Sequence, residues 1–187
     1  MAETVFCPSC GENVELFVVI EKGDEIAKCS SCGLVLNELI EDRKIIFPKV
    51  LLAEDSKFLR ELTQDIFIKN GIAKEVGVFE DGEELIEAYI SSMTKMEEIA
   101  LIVLDVNMPK VGGFETALAV RDIEKDFQHI PPVPILFFTV RKADQHIREL
   151  LQKLSPAAYV NKGIEASPQK LAERLYKVII SLKAKKK

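Results

Sequence analysis

The sequence predicts an α/β fold, a five-stranded parallel sheet with helices on both faces, preceded by a small cysteine-bearing β module. Three observations carry this expectation. From residue 48 onward, short apolar runs alternate with segments of helical periodicity, the pattern of successive βα units. The runs are continuously apolar rather than alternating, as suits strands covered on both faces. All four cysteines of the 187-residue chain fall in two Cys-x-x-Cys pairs within the first 32 residues, so a separate small unit precedes the sheet.

The first strand is Val50-Leu51-Leu52-Ala53, which ends on Glu54-Asp55. Apolar residues then recur at Phe58, Leu59, Leu62, Ile66 and Phe67, one face of a helix. Asn70-Gly71 closes that helix, because glycine readily takes the conformation just past a helix end. Val76-Gly77-Val78-Phe79 forms the second strand. Asp81-Gly82-Glu83-Glu84 offers an N-cap acid with glutamate three residues on, a capping-box start for the next helix. The third strand, residues 99–104, runs into Asp105 and the loop Asn107-Met108-Pro109, and a helix follows over about 113–127. Pro131-Pro132 interrupts the chain before the fourth strand, residues 133–138, which ends on Thr139. Ala143, Ile147, Leu150, Leu151 and Leu154 mark another helix, ended by Ser155-Pro156. The fifth strand, residues 158–161, runs into Lys162. Ser167-Pro168 supplies an N-cap with first-turn proline, and Leu171, Leu175, Val178, Ile179 and Leu182 make the last buried stripe.

Right-handed crossovers and the strand order 2-1-3-4-5 set the first and third strands side by side. Glu54, Asp55 and Asp105 then converge at the carboxyl edge, where open α/β sheets bind ligands. No glycine-rich phosphate loop follows the first strand, so nothing supports a flavin or nicotinamide cofactor.

Bulk properties narrow the function further. A chain that is 48% hydrophobic and 29% charged is globular with a substantial core. No stretch approaches a membrane span and no signal peptide is visible, so the expected location is cytoplasmic, with no membrane partner. The net charge of −5 sits in residues 1–47, where nine acidic residues outnumber four basic ones; the remainder balances at 21 against 21. That charge disfavours nucleic acid as a partner of the N-terminal module. Residues 184–187 read as a lysine-rich tail. His129 and His146 are isolated and read as ordinary surface or packing residues.

Cys7-Pro8-Ser9-Cys10 and Cys29-Ser30-Ser31-Cys32 are each followed by glycine, and 18 residues separate the pairs. The spacing lets each turn aim two thiolates at one metal, giving a tetrahedral four-sulfur site. Residues 14–20 and 25–28 read as two strands around a turn at Lys22-Gly23-Asp24. The module resembles a zinc ribbon over about residues 4–38, within an N-terminal unit of residues 1–46. Zn²⁺ is the expected metal and iron the alternative, since four-sulfur tetrahedra suit both. With four thiolates the metal is structural, and it supplies folding energy that so small a segment lacks.

Three converging carboxylates repel one another unless a cation joins them. Mg²⁺, with its preference for oxygen ligands and phosphate, is the natural partner, and a carboxylate can itself accept a phosphoryl group. Residues 48–183 resemble the receiver domain of two-component response regulators, the flavodoxin/CheY-like fold. The resemblance rests on Glu54-Asp55, Asp105, Asn107-Met108-Pro109, Gly113, Thr139 and Lys162. It implies that Asp105 is the phosphoacceptor. Glu54, Asp55, Asp105 and the Asn107 backbone carbonyl would hold Mg²⁺, with Thr139 and Lys162 on the phosphoryl oxygens. Thr139 and Tyr159 would form the switch. Two positions depart from the family. Receivers usually place a cis proline after the lysine, where this chain has Gly163. A small residue is common where Val140 stands, and Val140 is expected to narrow access to the phosphoryl group. Arg141 is expected to affect hydrolysis of the acyl phosphate.

The expected function is therefore that of a response regulator in two-component signal transduction. A histidine kinase or phosphotransfer protein would phosphorylate Asp105, and a changed surface would bind a downstream protein. No DNA-binding output domain is expected, nor turnover as an enzyme. Two alternatives are a zinc-ribbon regulator that binds nucleic acid and a pseudo-receiver scaffold that is not phosphorylated. An aspartate-based phosphatase would need a second Asp where Asn107 stands.

Overall fold

The structure, a computed structural model, describes residues 4–21, 24–36, 47–127, 131–163 and 168–184. His129, Ser167 and lysines 185–187 lie outside the described residues. The N-terminal unit holds β1 (Thr4–Cys7), β2 (Glu12–Glu21) and β3 (Asp24–Cys29), an antiparallel sheet ordered β1-β2-β3. The larger unit holds β4 (Phe47–Ala53), α1 (Lys57–Lys69), β5 (Ala73–Phe79), α2 (Gly82–Thr94), β6 (Leu101–Leu104), α3 (Gly113–Asp126), β7 (Ile135–Thr139), α4 (Gln145–Lys153), β8 (Ala157–Asn161) and α5 (Pro168–Ala184).

Its five strands are all parallel and ordered β5-β4-β6-β7-β8, the expected 2-1-3-4-5 arrangement. Every residue of β6, β7 and β8 is buried, whereas edge strand β5 buries only Ala73 and Val76 and leaves its other residues exposed or half-buried. This is the burial that continuous apolar runs require. Among the described residues, no helix is long and apolar enough to cross a membrane.

Several boundaries differ from expectation for local reasons. The third strand begins at Leu101 rather than Ile99, and the fourth at Ile135, after Pro134. Proline lacks the N–H a ladder needs, yet its carbonyl still accepts from Ile102 at 3.0 Å. Phe58, expected on the buried face of α1, is 72% exposed, and Thr63, Ile66 and Phe67 form the buried face. The first turn of α1 starts past the carboxyl edge of the sheet, where no strand lies beneath it. Ser56 caps α1 through Leu59 N–H, and Asp81 caps α2 by accepting from Glu84 N–H at 3.0 Å. The returning glutamate of the capping box, Glu84, reaches Glu80 N–H at 3.0 Å rather than Asp81. Strand β1 was not expected: it is four residues long, and three of them are exposed.

Candidate functional site

The carboxyl ends of β4, β6, β7 and β8 deliver Glu54-Asp55, Asp105, Thr139 and Lys162, each at its strand end or within two residues of it. Ladder bonds fix these ends: Asp105 N–H donates to Ala53 at 2.9 Å, Glu54 N–H to Phe79 at 3.1 Å and Lys162 N–H to Thr139 at 2.8 Å. Glu54, Asp105, Thr139 and Lys162 are all buried, while Asp55 is exposed. Carboxylate oxygens of Glu54, Asp55 and Asp105 lie within 4.8 Å of one another. Lys162 Nζ sits between two of them, 2.5 Å from Glu54 Oε2 and 3.0 Å from Asp105 Oδ2. The ammonium also lies 5.5 Å from the centre of the Phe138 ring, a favourable cation–π arrangement.

Asp105 Oδ1 accepts from Val106 N–H at 2.7 Å, which leaves Oδ2 facing Lys162. Burial pushes the Glu54 carboxyl above the ordinary range; Lys162 opposes the shift and Asp105 adds to it. A buried acid cluster that is costly to ionise in full, with one exposed ligand, matches the donor chemistry of an oxygen-seeking divalent cation. Gly113 brings the start of α3 against the site: a Cβ there would lie 2.0 Å from the Asp105 carbonyl oxygen.

The remaining expected positions are also placed. Asn107 is exposed in the loop after Asp105. Thr139 Oγ1 is fully buried and accepts from Arg141 N–H at 3.3 Å. The Val140 side chain is 67% exposed, standing in solvent. Tyr159 is turned inward, 2% exposed, and its hydroxyl donates to the Arg141 carbonyl at 2.5 Å. Burial pushes that hydroxyl up to about 12. Asn161, which sequence reasoning passed over, receives its importance from contacts: its amide donates to the Arg141 carbonyl at 3.1 Å and to Tyr159 at 2.8 Å. Gly163 has φ 64°, a conformation that proline's ring forbids.

In the N-terminal unit, the four cysteine sulfurs lie within 4.8 Å of one another, with Cys7–Cys32 at 3.7 Å and Cys10–Cys29 at 3.8 Å. Each pair is a turn in which the second cysteine's N–H points at the first sulfur, at 3.5 Å for Cys10 and 3.4 Å for Cys32. Gly11 and Gly33 follow at φ 78° and 74° and donate back to Cys7 and Cys29. Hydrogen bonds from Cys10, Cys32 and Cys7 hold the Cys29 thiol well below its ordinary range, while the bond to Cys29 pushes Cys10 up. A cleft of about 800 Å³ lies away from the acidic site, between this unit and α4–β8, lined by Phe17, Leu34, Arg148, Leu151 and Tyr159 among others.

Fold and site together define a doubly wound α/β domain with an acid cluster and a buried lysine at the carboxyl edge of its sheet. The chain belongs to the response regulator receiver domain family, whose profile matches residues 50–176. It is 30% identical over 97 residues to hybrid signal transduction histidine kinase I of Dictyostelium discoideum, covering 51% of this chain and 6% of that protein. Over 76 residues it is 28% identical to the chemotaxis protein CheY of Bacillus subtilis, covering 41% of this chain and 58% of the relative. The match thus spans less than two thirds of either relative. In fold, it is similar to the receiver domain of the histidine kinase CKI1 from Arabidopsis thaliana, complexed with Mg²⁺ and BeF₃⁻. That likeness has a TM-score of 0.61 at 20% identity, over 73% of this chain and 90% of the other.

Proposed function

We propose that Asp105 accepts a phosphoryl group from the phosphohistidine of a histidine kinase or phosphotransfer protein. The observation that carries this is Lys162 Nζ, held 3.0 Å from Asp105 Oδ2 inside a cluster of three carboxylates. An Asp105 carboxylate oxygen attacks phosphorus, the P–N bond to the donor imidazole breaks, and an acyl phosphate forms. Glu54, Asp55, Asp105 and the Asn107 carbonyl are the residues that would hold Mg²⁺. Bound there, Mg²⁺ neutralises charge on the carboxylates and the transferring oxygens. Lys162 supplies an ammonium to a phosphoryl oxygen, and the Thr139 hydroxyl, now bonded to Arg141 N–H, supplies another donor. Transfer of that bond, with Tyr159 beside it, changes the surface around β7–β8 that a downstream protein binds. The domain acts as a phosphoacceptor rather than as a turnover enzyme, in the cytoplasm.

The N-terminal unit, residues 1–46, is a zinc ribbon joined to a receiver at residues 48–183. A tetrahedron with metal–sulfur bonds of about 2.3 Å has edges of about 3.8 Å, and the Cys7–Cys32 and Cys10–Cys29 sulfur pairs stand at 3.7 and 3.8 Å. All four positions are thiolate, so the metal holds the fold and has no open site.

The test is intact-protein mass after incubation with acetyl phosphate and Mg²⁺. Wild type gains one phosphoryl group and Asp105→Asn none; an unmodified wild type refutes the proposal. Elemental analysis of the same sample should give one zinc per chain, and iron in its place would reassign the four-cysteine site.

A further inference from the structure

Strand β8 is an edge of the five-stranded sheet, and the first cysteine turn lies along its open side. Asn161 N–H donates to the Ser9 carbonyl at 2.7 Å, and the Ser9 hydroxyl donates to the Tyr159 carbonyl. Arg174 of α5, only 4% exposed, spans the junction. Its Nε donates to the Pro8 carbonyl at 2.9 Å, and its Nη2 donates to Asn161 at 2.8 Å and Ser9 at 3.3 Å. Gly11 permits this approach, since a Cβ there would lie 2.6 Å from Nη2.

The peptide unit that carries Lys162 is consequently held at both ends. Its carbonyl, that of Asn161, accepts from Arg174, and its N–H donates to Thr139 at 2.8 Å. Beyond it stands Gly163, whose φ of 64° excludes a ring-locked backbone. The restraint on Lys162 therefore comes from Thr139 and from Arg174, which is itself anchored across the unit boundary on the Pro8 and Ser9 carbonyls, and not from the residue that follows.

We infer that Arg174 and the Pro8-Ser9 turn are positioning residues for Lys162, so that the four-cysteine unit is part of the phosphoacceptor machinery. The inference rests on the proposed role of Asp105. The turn keeps its shape only while its thiolates are tied together, and small thiolate sites fold with their metal. Releasing it withdraws the Ser9 carbonyl from Asn161 and loosens the Arg174 grip on the carbonyl before Lys162. Displacing a positioned group by about 1 Å slows a reaction by up to about a hundredfold. Mg²⁺ binding responds differently, because the ammonium competes with the cation for Glu54 and Asp105. Loosening Lys162 lowers the phosphorylation rate while leaving Mg²⁺ affinity unchanged or raising it, a split that general unfolding does not produce.

The experiment uses the full chain as purified, with Arg174→Ala and Arg174→Lys variants and wild type stripped of its cysteine-bound metal. It reads acetyl phosphate labelling rate at saturating Mg²⁺, Mg²⁺ affinity by calorimetry, and hydrogen exchange across residues 157–163. Arg174→Ala and the stripped protein should both label about tenfold more slowly or worse, with undiminished Mg²⁺ affinity and lost protection at the Asn161 and Lys162 amides. Arg174→Lys should recover part of the rate. In a Lys162→Ala background, Arg174→Ala should slow labelling no further, as expected for two residues acting through one group. Labelling at the wild-type rate in both altered proteins overturns the inference, as does Mg²⁺ affinity that falls in step with the rate. If Arg174→Ala does not fold, the stripped wild type and Arg174→Lys carry the same comparisons. A wild type that takes no phosphoryl group defeats the Asp105 proposal instead, and exchange at Asn161 and Lys162 then decides the positioning role alone.

Discussion

Lys162→Ala tests the electrostatics of the site directly. The substitution removes an ammonium 2.5 Å from Glu54 and 3.0 Å from Asp105, among side chains that are 7%, 1% and 9% exposed respectively. Deleting one member of a buried charge cluster costs about 3–5 kcal/mol. Proton uptake limits that loss. Carrying a proton at pH 7 on a carboxyl whose ordinary pKa is 4.5 costs about 3.4 kcal/mol, at about 1.36 kcal/mol per unit. Glu54 is the carboxyl to take it, because burial already raises its pKa. The expected loss at pH 7 is therefore about 3 kcal/mol. A carboxyl raised in the folded state contributes stability that is full below its unfolded pKa and is lost as pH rises through its folded value. The deficit of the variant should accordingly be smaller at pH 5 than at pH 7. Mg²⁺ at about a hundredfold over its dissociation constant adds about 2.7 kcal/mol to any protein that binds it only when folded. The variant should gain more than wild type, having no ammonium to displace. Urea unfolding of both proteins by circular dichroism, at two pH values and with or without Mg²⁺, measures all of this. A loss below about 1 kcal/mol at pH 7, against the cost expected of a buried cluster, would refute the reasoning. So would a deficit that Mg²⁺ leaves untouched.

Two further outcomes follow from the same geometry. Gly113→Ala places a methyl 2.0 Å from a backbone oxygen that has no room to yield, so α3 must retreat from Asp105. We expect a loss of about 1–3 kcal/mol in urea unfolding together with slower labelling of Asp105, and an unchanged midpoint would contradict the close approach. With Glu54 as a proposed Mg²⁺ ligand, binding requires it ionised, so affinity should fall as pH drops toward its raised pKa, with protons released on binding in that window. Calorimetry in two buffers of different ionisation enthalpy reads the release, and its absence at every pH above the ordinary carboxylate range would count against Glu54 as a ligand.

The ends of the parallel strands were legible because continuous apolar runs stop where the chain meets acid, hydroxyl or ammonium. Glu54, Asp55 and Asp105 could be brought together from strand order alone, whereas Lys162, two strands away from Asp105, was placed with them by its strand-end position and the receiver resemblance. What stayed hidden were charged residues that helices bury. Glu124, 7% exposed, accepts from Tyr89 at 3.2 Å and from Val133 N–H at 2.6 Å, and it pairs with Arg121 at 2.7 Å. Arg121 in turn donates to Val133 and Leu154 carbonyls at 2.9 Å, tying α3 to the start of β7 and the end of α4. Both lie four residues beyond a buried apolar residue, Val120 and Ala117, so their helical position carried a signal that their charge masked. Arg174 is the same case, three residues past Leu171 and four before Val178. Docking of the cysteine unit on β8 and its flanking helices had no periodic signature, because it depends on scattered carbonyls, the Ser9 hydroxyl and the guanidiniums of Arg148 and Arg174 rather than on a run of residues.

The covered edge of β8 bears on how copies of this chain behave toward one another. An unpaired strand edge is a template for joining a second chain. At the opposite edge of the sheet, β5 displays exposed Lys74 and Glu75, charges of the kind that deter such pairing. β8 carries none: its five residues are Ala157, Ala158, Tyr159, Val160 and Asn161. The Ser9 turn occupies the place where a foreign strand would bond to Tyr159 and Asn161. A receiver severed before Phe47, or one whose thiols have been alkylated, should therefore self-associate strand to strand even while its own core stays folded. Gel filtration of both forms beside the intact chain reads this, and truncated and alkylated proteins that elute as the intact chain does would contradict it.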